Sequence, residues 1–203
     1  RRGGIHAALL GVLVVVATAG VHRLPAEGIA SATYEEKREW LQSHRDSPLF
    51  AEVLQETLLD APTVEEVRSV ITANIAAVRD DRRRATILFT AGRIFELANR
   101  FDAAGGYYAQ AYRLVPEEYS YALRFASTAL ERGNVAEAII TLNAVISTAD
   151  DRDVQRKAAV LRAWAFHLQG EVDRALLHAK SLAAIDRPAD AALRRLVDVE
   201  SVV

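Results

Sequence analysis

Residues 85–118 read ATILFTAGRIFELANRFDAAGGYYAQAYRLVPEE. Apolar residues recur at helical spacing through 84–98 and again through 102–115, and Asn99 interrupts the pattern between them. The stretch therefore reads as two helices joined by a tight turn. Its second half holds an oddity: Gly105 and Gly106 sit in mid-helix beside Tyr107 and Tyr108. Each glycine costs roughly 0.8–1 kcal/mol against alanine in a helix interior. Either a neighbouring side chain packs closely over the glycines, or they mark weakness at an exposed spot.

The same pattern extends along the chain with almost no strand-like alternation. It predicts helices over 33–44, 48–60, 64–80, 84–98, 102–115, 118–131, 135–148, 153–169, 172–185 and 189–200. Thr63 and Glu66 have the spacing of a capping box, and Asp102 suits an N-cap. Pro48 and Pro188 suit first-turn positions. Asn99, Gly133-Asn134 and Gly170 are stop signals.

The stops are periodic. Asn99, Gly133 and Gly170 lie 34 and 37 residues apart, and Ala104, Ala138 and Ala175 each follow five residues later. This resembles the tetratricopeptide repeat, a helix–turn–helix unit of 34 residues. Residues 85–118 fit best. Leu88 takes the tryptophan place of the motif, Gly92 the glycine and Phe95 the tyrosine, and Ala104, Tyr108, Ala111 and Pro116 follow in register. Residues 119–152 keep Ala126, Gly133, Ala138 and Leu142 without the proline. Residues 156–188 keep Ala163, Phe166, Gly170 and Ala175, with Pro188 slightly shifted. The resemblance implies an all-α solenoid of antiparallel helix pairs, three repeats long. Segment 33–84 precedes it as a helical cap or degenerate repeat, and 189–203 follows as a capping helix over the last apolar face. In this register Gly105 corresponds to Ile139 and Leu176, so it leaves a gap that Tyr121 or Phe125 of the next repeat would fill.

The amino terminus is a separate piece. Arg1 and Arg2 precede an apolar run over 5–20, and Ala17-Thr18-Ala19 fits the small-x-small cleavage rule. Residues 1–19 therefore read as a secretory signal, with an uncleaved inner-membrane anchor facing the periplasm as the alternative. The run falls short of the ~20 apolar residues of a bilayer-spanning helix. Residues 20–32, with Pro25 and Gly28, read as a linker. The expected location is periplasmic or otherwise extracytoplasmic, with membrane attachment only if the segment is retained.

Composition narrows the chemistry. The 203 residues are 51% hydrophobic and 26% charged, the composition of a folded chain. There is no cysteine, which removes disulfides, thiolate metal sites and thiol catalysis. A net charge of −2 argues against a nucleic-acid partner. No phosphate loop, zinc-protease or nucleophile-elbow motif is present. His167 and His178 fall in one helical hairpin without a placed carboxylate. "DDRRR" (80–84) reads as a solvated helix junction, "ADDRD" (149–153) as an acidic loop, and Trp40 as N-terminal core or an exposed contact. The expectation is a protein with neither an enzymatic activity nor a cofactor.

What remains is surface. In tetratricopeptide proteins the first helix of each pair lines a concave groove that takes an extended peptide or a partner helix. By resemblance that face comprises Phe89, Arg93 and Glu96 in one repeat and Leu123, Ser127 and Leu130 in the next. Lys157, Val160, Trp164 and His167 follow in the third. The family's carboxylate clamp uses lysine and asparagine on this face; Arg93, Ser127 and Trp164 occupy its asparagine-like places, so that specificity is not carried over. Trp164 and Phe89 have a second reading as inter-repeat core. The function expected is a scaffold or adaptor of the bacterial envelope that binds another envelope protein and is able to form homo-oligomers. The alternative is a small apolar ligand binder serving a periplasmic transport system, with a pocket lined by Phe89, Tyr121 and Trp164.

Overall fold

The computed structural model describes residues 31–183. Residues 1–30 and 184–203 lie outside that range. The signal or anchor, Pro188 and helix 189–200 fall among them. The described residues are α-helical throughout, without strands, and the chain divides between Arg79 and Asp80 into two compact units.

The first unit holds α1 (Tyr34–Ser43), α2 (Phe50–Asp60) and α3 (Val64–Asn74), then a 3-10 turn over Ile75–Ala77. Its core is Trp40, Leu41, Phe50, Val53, Leu54, Leu58, Val67, Val70 and Ile71, all at most 4% exposed. Burying each large side chain contributes about 1.5–3 kcal/mol, set against the entropy of ordering it. Trp40 is thus core. Lys37 is equally buried, and its ammonium reaches Asp60 at 2.6 Å and Glu56 at 4.0 Å. Both carboxylates are part-exposed, so the lysine stem is buried while its charge stays paired.

Local chemistry differs from the sequence expectation at three starts. The complete capping box lies at Thr33 and Glu36. At Thr63 only half of one forms: its hydroxyl accepts from the Glu66 amide, while the Glu66 carboxylate takes the Tyr34 hydroxyl and Arg38. Pro48 sits in the turn ahead of α2, whose N-cap is Leu49. The helix expected over 64–80 stops early. Asn74 bonds back to the Val70 carbonyl, and Asp80 takes extended backbone to cap the next helix, accepting from the Arg83 amide.

The second unit contains α4 (Asp81–Leu97), α5 (Phe101–Leu114), α6 (Tyr119–Glu131), α7 (Val135–Thr148), α8 (Arg152–Leu168) and α9 (Val172–Ala183). Each helix packs on the next, and α6 also packs on α8. Three turns are built alike. Asn99, Gly133 and Gly170 adopt positive φ of 56°, 75° and 78°. In each, the amide of that residue bonds the carbonyl three back, and the following amide bonds the carbonyl five back: Asn99 to Glu96 and Arg100 to Phe95, Gly133 to Leu130 and Asn134 to Ala129, Gly170 to His167 and Glu171 to Phe166. The paired bonds satisfy carbonyls the helix end leaves open.

Small residues set the crossings. Ala122, Ala126, Ala129, Ala138, Ala158 and Ala165 are fully buried in one cluster with Leu142 and Val145. Gly92 is the extreme case, because a Cβ there would lie 2.6 Å from Cε1 of Tyr108. The two mid-helix glycines of α5 separate. Gly106 faces open space. Gly105 is covered, though by Arg132 and not by the expected Tyr121 or Phe125: a Cβ would lie 2.9 Å from Arg132 Nη1 and 3.6 Å from the Thr128 hydroxyl. Arg132 reaches across to Asp102 at 2.9 Å. Asp102 is not an N-cap, because it lies inside the first turn of α5, which starts at Phe101 after Arg100; Arg100 makes no side-chain cap.

Candidate partner-binding site

Helices α4, α6 and α8 are the first members of the three pairs and carry the expected contact face. On α4, Glu96 is the hub. Its carboxylate accepts the hydroxyl proton of Tyr108 and pairs with Arg124 at 3.1 Å and Arg93 at 3.9 Å. Burial, with the Glu96 hydrogen bond second, pushes the Tyr108 hydroxyl well above the usual phenol range. One carboxylate thus holds two guanidiniums that are each nearly half exposed, 45% for Arg93 and 43% for Arg124. This edge carries net positive charge. Arg124 was missed by repeat register, since it becomes visible only when α6 docks beside α4.

Phe89 is half-buried, its ring 5.3 Å from Tyr108 and 4.9 Å from Tyr121. It therefore packs between helices. Two aromatics expected around an apolar ligand, Phe89 and Tyr121, fill each other's space. Leu123 and Ser127 are half-buried. Leu130 is a correction: at 7% exposure it belongs to the core cluster, because α6 ends there and its last turn folds onto α7.

Helix α8 supplies the open part. Trp164 is 43% exposed and Leu168 46%, while Lys157 is exposed and Val160 half-buried. Trp164 therefore lies outside the core. Its ring stacks on His167 at 5.3 Å. His178 stacks instead on Phe166 at 5.4 Å, and burial together with Arg162 and Arg174 lowers its pKa. The two histidines thus engage different rings. Asp151 of the acidic loop caps α8, accepting from the Asp153 amide.

A separate cleft of about 400 Å³ opens among α5, α6 and α7, lined by Gly105, Gly106, Ala109, Phe125 and the Asp102–Arg132 pair. The repeat register pointed to a gap at Gly105; what it did not show is that the wall is an arginine from the end of α6.

No family model and no curated protein matches the sequence. Solved structures do match. The crystal structure of MamA aligns over 88% of this chain and 94% of its own, with a TM-score of 0.56 and 14% identity. A MamA AMB-1 structure aligns over 79% of this chain and 87% of its own, at 0.54 and 18%. A tetratricopeptide repeat protein from Parabacteroides merdae ATCC 43184 aligns over 84% of this chain and 78% of its own, at 0.50 and 13%. With the three matched turns, the small-residue crossings and the Gly92–Tyr108 contact, these likenesses establish the architecture: the chain has a tetratricopeptide-type all-α fold.

Proposed function

We propose that this chain is a non-catalytic scaffold of the bacterial cell envelope, binding an extended peptide or a partner helix along α4, α6 and α8. The observation that carries the reading is Trp164. A tryptophan 43% exposed on a first helix, with Lys157 on the same helix and the Arg93–Glu96–Arg124 group on the neighbouring repeats, has the makeup of a binding hot spot. The mixed cationic and apolar character favours a partner segment carrying both carboxylates and a large apolar side chain. The envelope location rests on the N-terminal pattern of Arg1, Arg2, the apolar run and Ala17-Thr18-Ala19.

The test is a capture from envelope extract with the wild-type chain, followed by affinity measurement with Trp164→Ala. Truncating a hot-spot tryptophan costs about 2 kcal/mol or more, roughly a thirtyfold loss of affinity. Because Trp164 is exposed, its melting temperature should stay close to wild type. Unchanged affinity in a well-folded Trp164→Ala protein removes the anchor of the proposed site. A mature N-terminus near Gly20 is expected for the native protein; an intact 5–20 segment on sequencing favours the anchored form.

A further inference from the structure

The cleft beside Gly105 is a trench along one face of α5, running from Asp102 past Gly106 and Ala109 to Arg113. At 1.5 Å per residue that is about 16 Å of helix. Spread over this length, its volume of about 400 Å³ leaves a cross-section of about 25 Å², some 5 Å each way. Extended chains lie side by side at about 4.8 Å, whereas a helix with its side chains is about 10–12 Å across. The trench has the bore of an extended chain and is too narrow to take a helix. At its middle, nothing lies within 4 Å of a Cβ added at Gly106, while Phe125 and Tyr112 line the walls.

The unpaired charges stand at opposite ends. Asp102 and Arg132 neutralise each other at 2.9 Å. Arg113 and Glu137 line the same trench, and among the described residues neither side chain has an ion-pair partner; the Arg113 guanidinium bonds only the Ala109 carbonyl of its own helix. As second members of successive antiparallel pairs, α5 and α7 run in the same direction. The register that aligns Ala104 with Ala138 sets Glu137 level with Ala103. Arg113 therefore stands about 15 Å farther along, less the reach of a side chain that folds back toward Ala109. Asn134, at the Glu137 end, makes no side-chain cap for α7, so its amide is left to bond a peptide group.

Four residues of extended chain cover about 13 Å, and side chains i, i+2 and i+4 point the same way. We propose that the α5–α7 trench binds an extended segment of a partner protein whose acidic and basic side chains lie four residues apart, with an apolar side chain midway. The acid pairs with Arg113 and the base with Glu137, and the apolar group lies over Gly106 between Phe125 and Tyr112. The trench belongs to the second helices, so its test is independent of the proposed groove on α4, α6 and α8.

Isothermal titration of the full chain with acetyl-Glu-Ala-Phe-Ala-Lys-amide, and with the reverse sequence, should show one of the two binding with a Kd below about 1 mM. Arg113→Glu should turn the preference toward the peptide with lysine at both ends, and Glu137→Lys toward the peptide with glutamate at both ends. Each shift should be about fivefold, the scale of an exposed ion pair. Gly106→Gln, at a position with open space, should abolish binding without lowering the melting temperature. Trp164→Ala should leave the peptide's affinity unchanged. No binding of either peptide at about 1 mM overturns the proposal. So does binding indifferent to Gly106→Gln, or charge variants that lose the first peptide without gaining the exchanged ones. Loss of binding in a well-folded Trp164→Ala protein moves the peptide to the first-helix groove and overturns the trench as its site.

Discussion

Replacing Gly92 by alanine puts the packing of the first hairpin to the test. In a helix interior the exchange should stabilise by roughly 0.8–1 kcal/mol, since alanine is the best helix former and glycine among the worst. Here the new Cβ arrives 2.6 Å from Cε1 and 2.7 Å from Cδ1 of Tyr108. Comfortable carbon contacts lie at about 3.5–4.0 Å, so the overlap is close to an ångström. The ring has nowhere to retreat: Tyr108 is fully buried, its hydroxyl is tied to Glu96, and Phe89 lies against it at 5.3 Å. Overpacking of this kind costs about 1–3 kcal/mol. Gly106→Ala is the internal control, because it has the same propensity gain and open space around the new methyl. Urea unfolding followed by far-UV circular dichroism should therefore rank Gly106→Ala above wild type by about 1 kcal/mol. Gly92→Ala should fall below Gly106→Ala by the packing cost of about 1–3 kcal/mol. If the two variants unfold at the same denaturant concentration, Tyr108 does not hold α4 and α5 together as argued.

Other outcomes follow from other sites. Gly133 has φ of 75° and open space around it, so Gly133→Ala should cost the pure left-handed backbone penalty of about 1–2 kcal/mol; Gly133→Asn should recover much of it in the same melt. Lys37→Met keeps the buried stem and leaves Asp60 and Glu56 to solvent, so its stability should stay within about 1 kcal/mol of wild type, as such replacements often do. Lys37→Ala should cost more by opening a void, in denaturant titrations of the two variants. Burial and the Glu66 hydrogen bond raise the Tyr34 pKa to about 12. The folded state thus holds the phenol proton more tightly than the unfolded one, whose value is about 10. The associated stability is complete below pH 10 and is lost as pH rises toward 12; ultraviolet titration should show Tyr34 ionising late, and Glu66→Gln should bring it forward.

The repeat was legible because its signals are local. Positive φ at Asn99, Gly133 and Gly170 is written in residue type, and the small residues at Gly92, Ala104 and Ala138 follow from spacing. What escaped depends on long side chains reaching between helices. Arg132 covers Gly105 while reaching Asp102, thirty residues away in sequence. The same reach placed Arg124 on Glu96, and gave the Glu66 carboxylate to Tyr34 and Arg38 instead of to a capping box. Hydrophobic periodicity identifies which face of α6 is apolar, yet it does not say that Leu130 lies far enough along the helix to be folded under α7.

The alanine crossings have a mechanical consequence. Alanine has no side-chain rotamers to lose on burial, so the junctions of α6 with α7 and α8 are ordered with no side-chain entropy cost at those positions. Where a methyl group is the only spacer, the helices come close to backbone contact, and Leu142 and Val145 fill the space between those points. Such a stack resembles a set of short levers on stiff bearings. A single added methylene pair, as in Ala126→Val, would act as a wedge at the fulcrum and be passed along the helices toward Trp164 and the Arg93–Glu96–Arg124 group. The spacing between the proposed contact points is therefore set at alanines buried away from the surface.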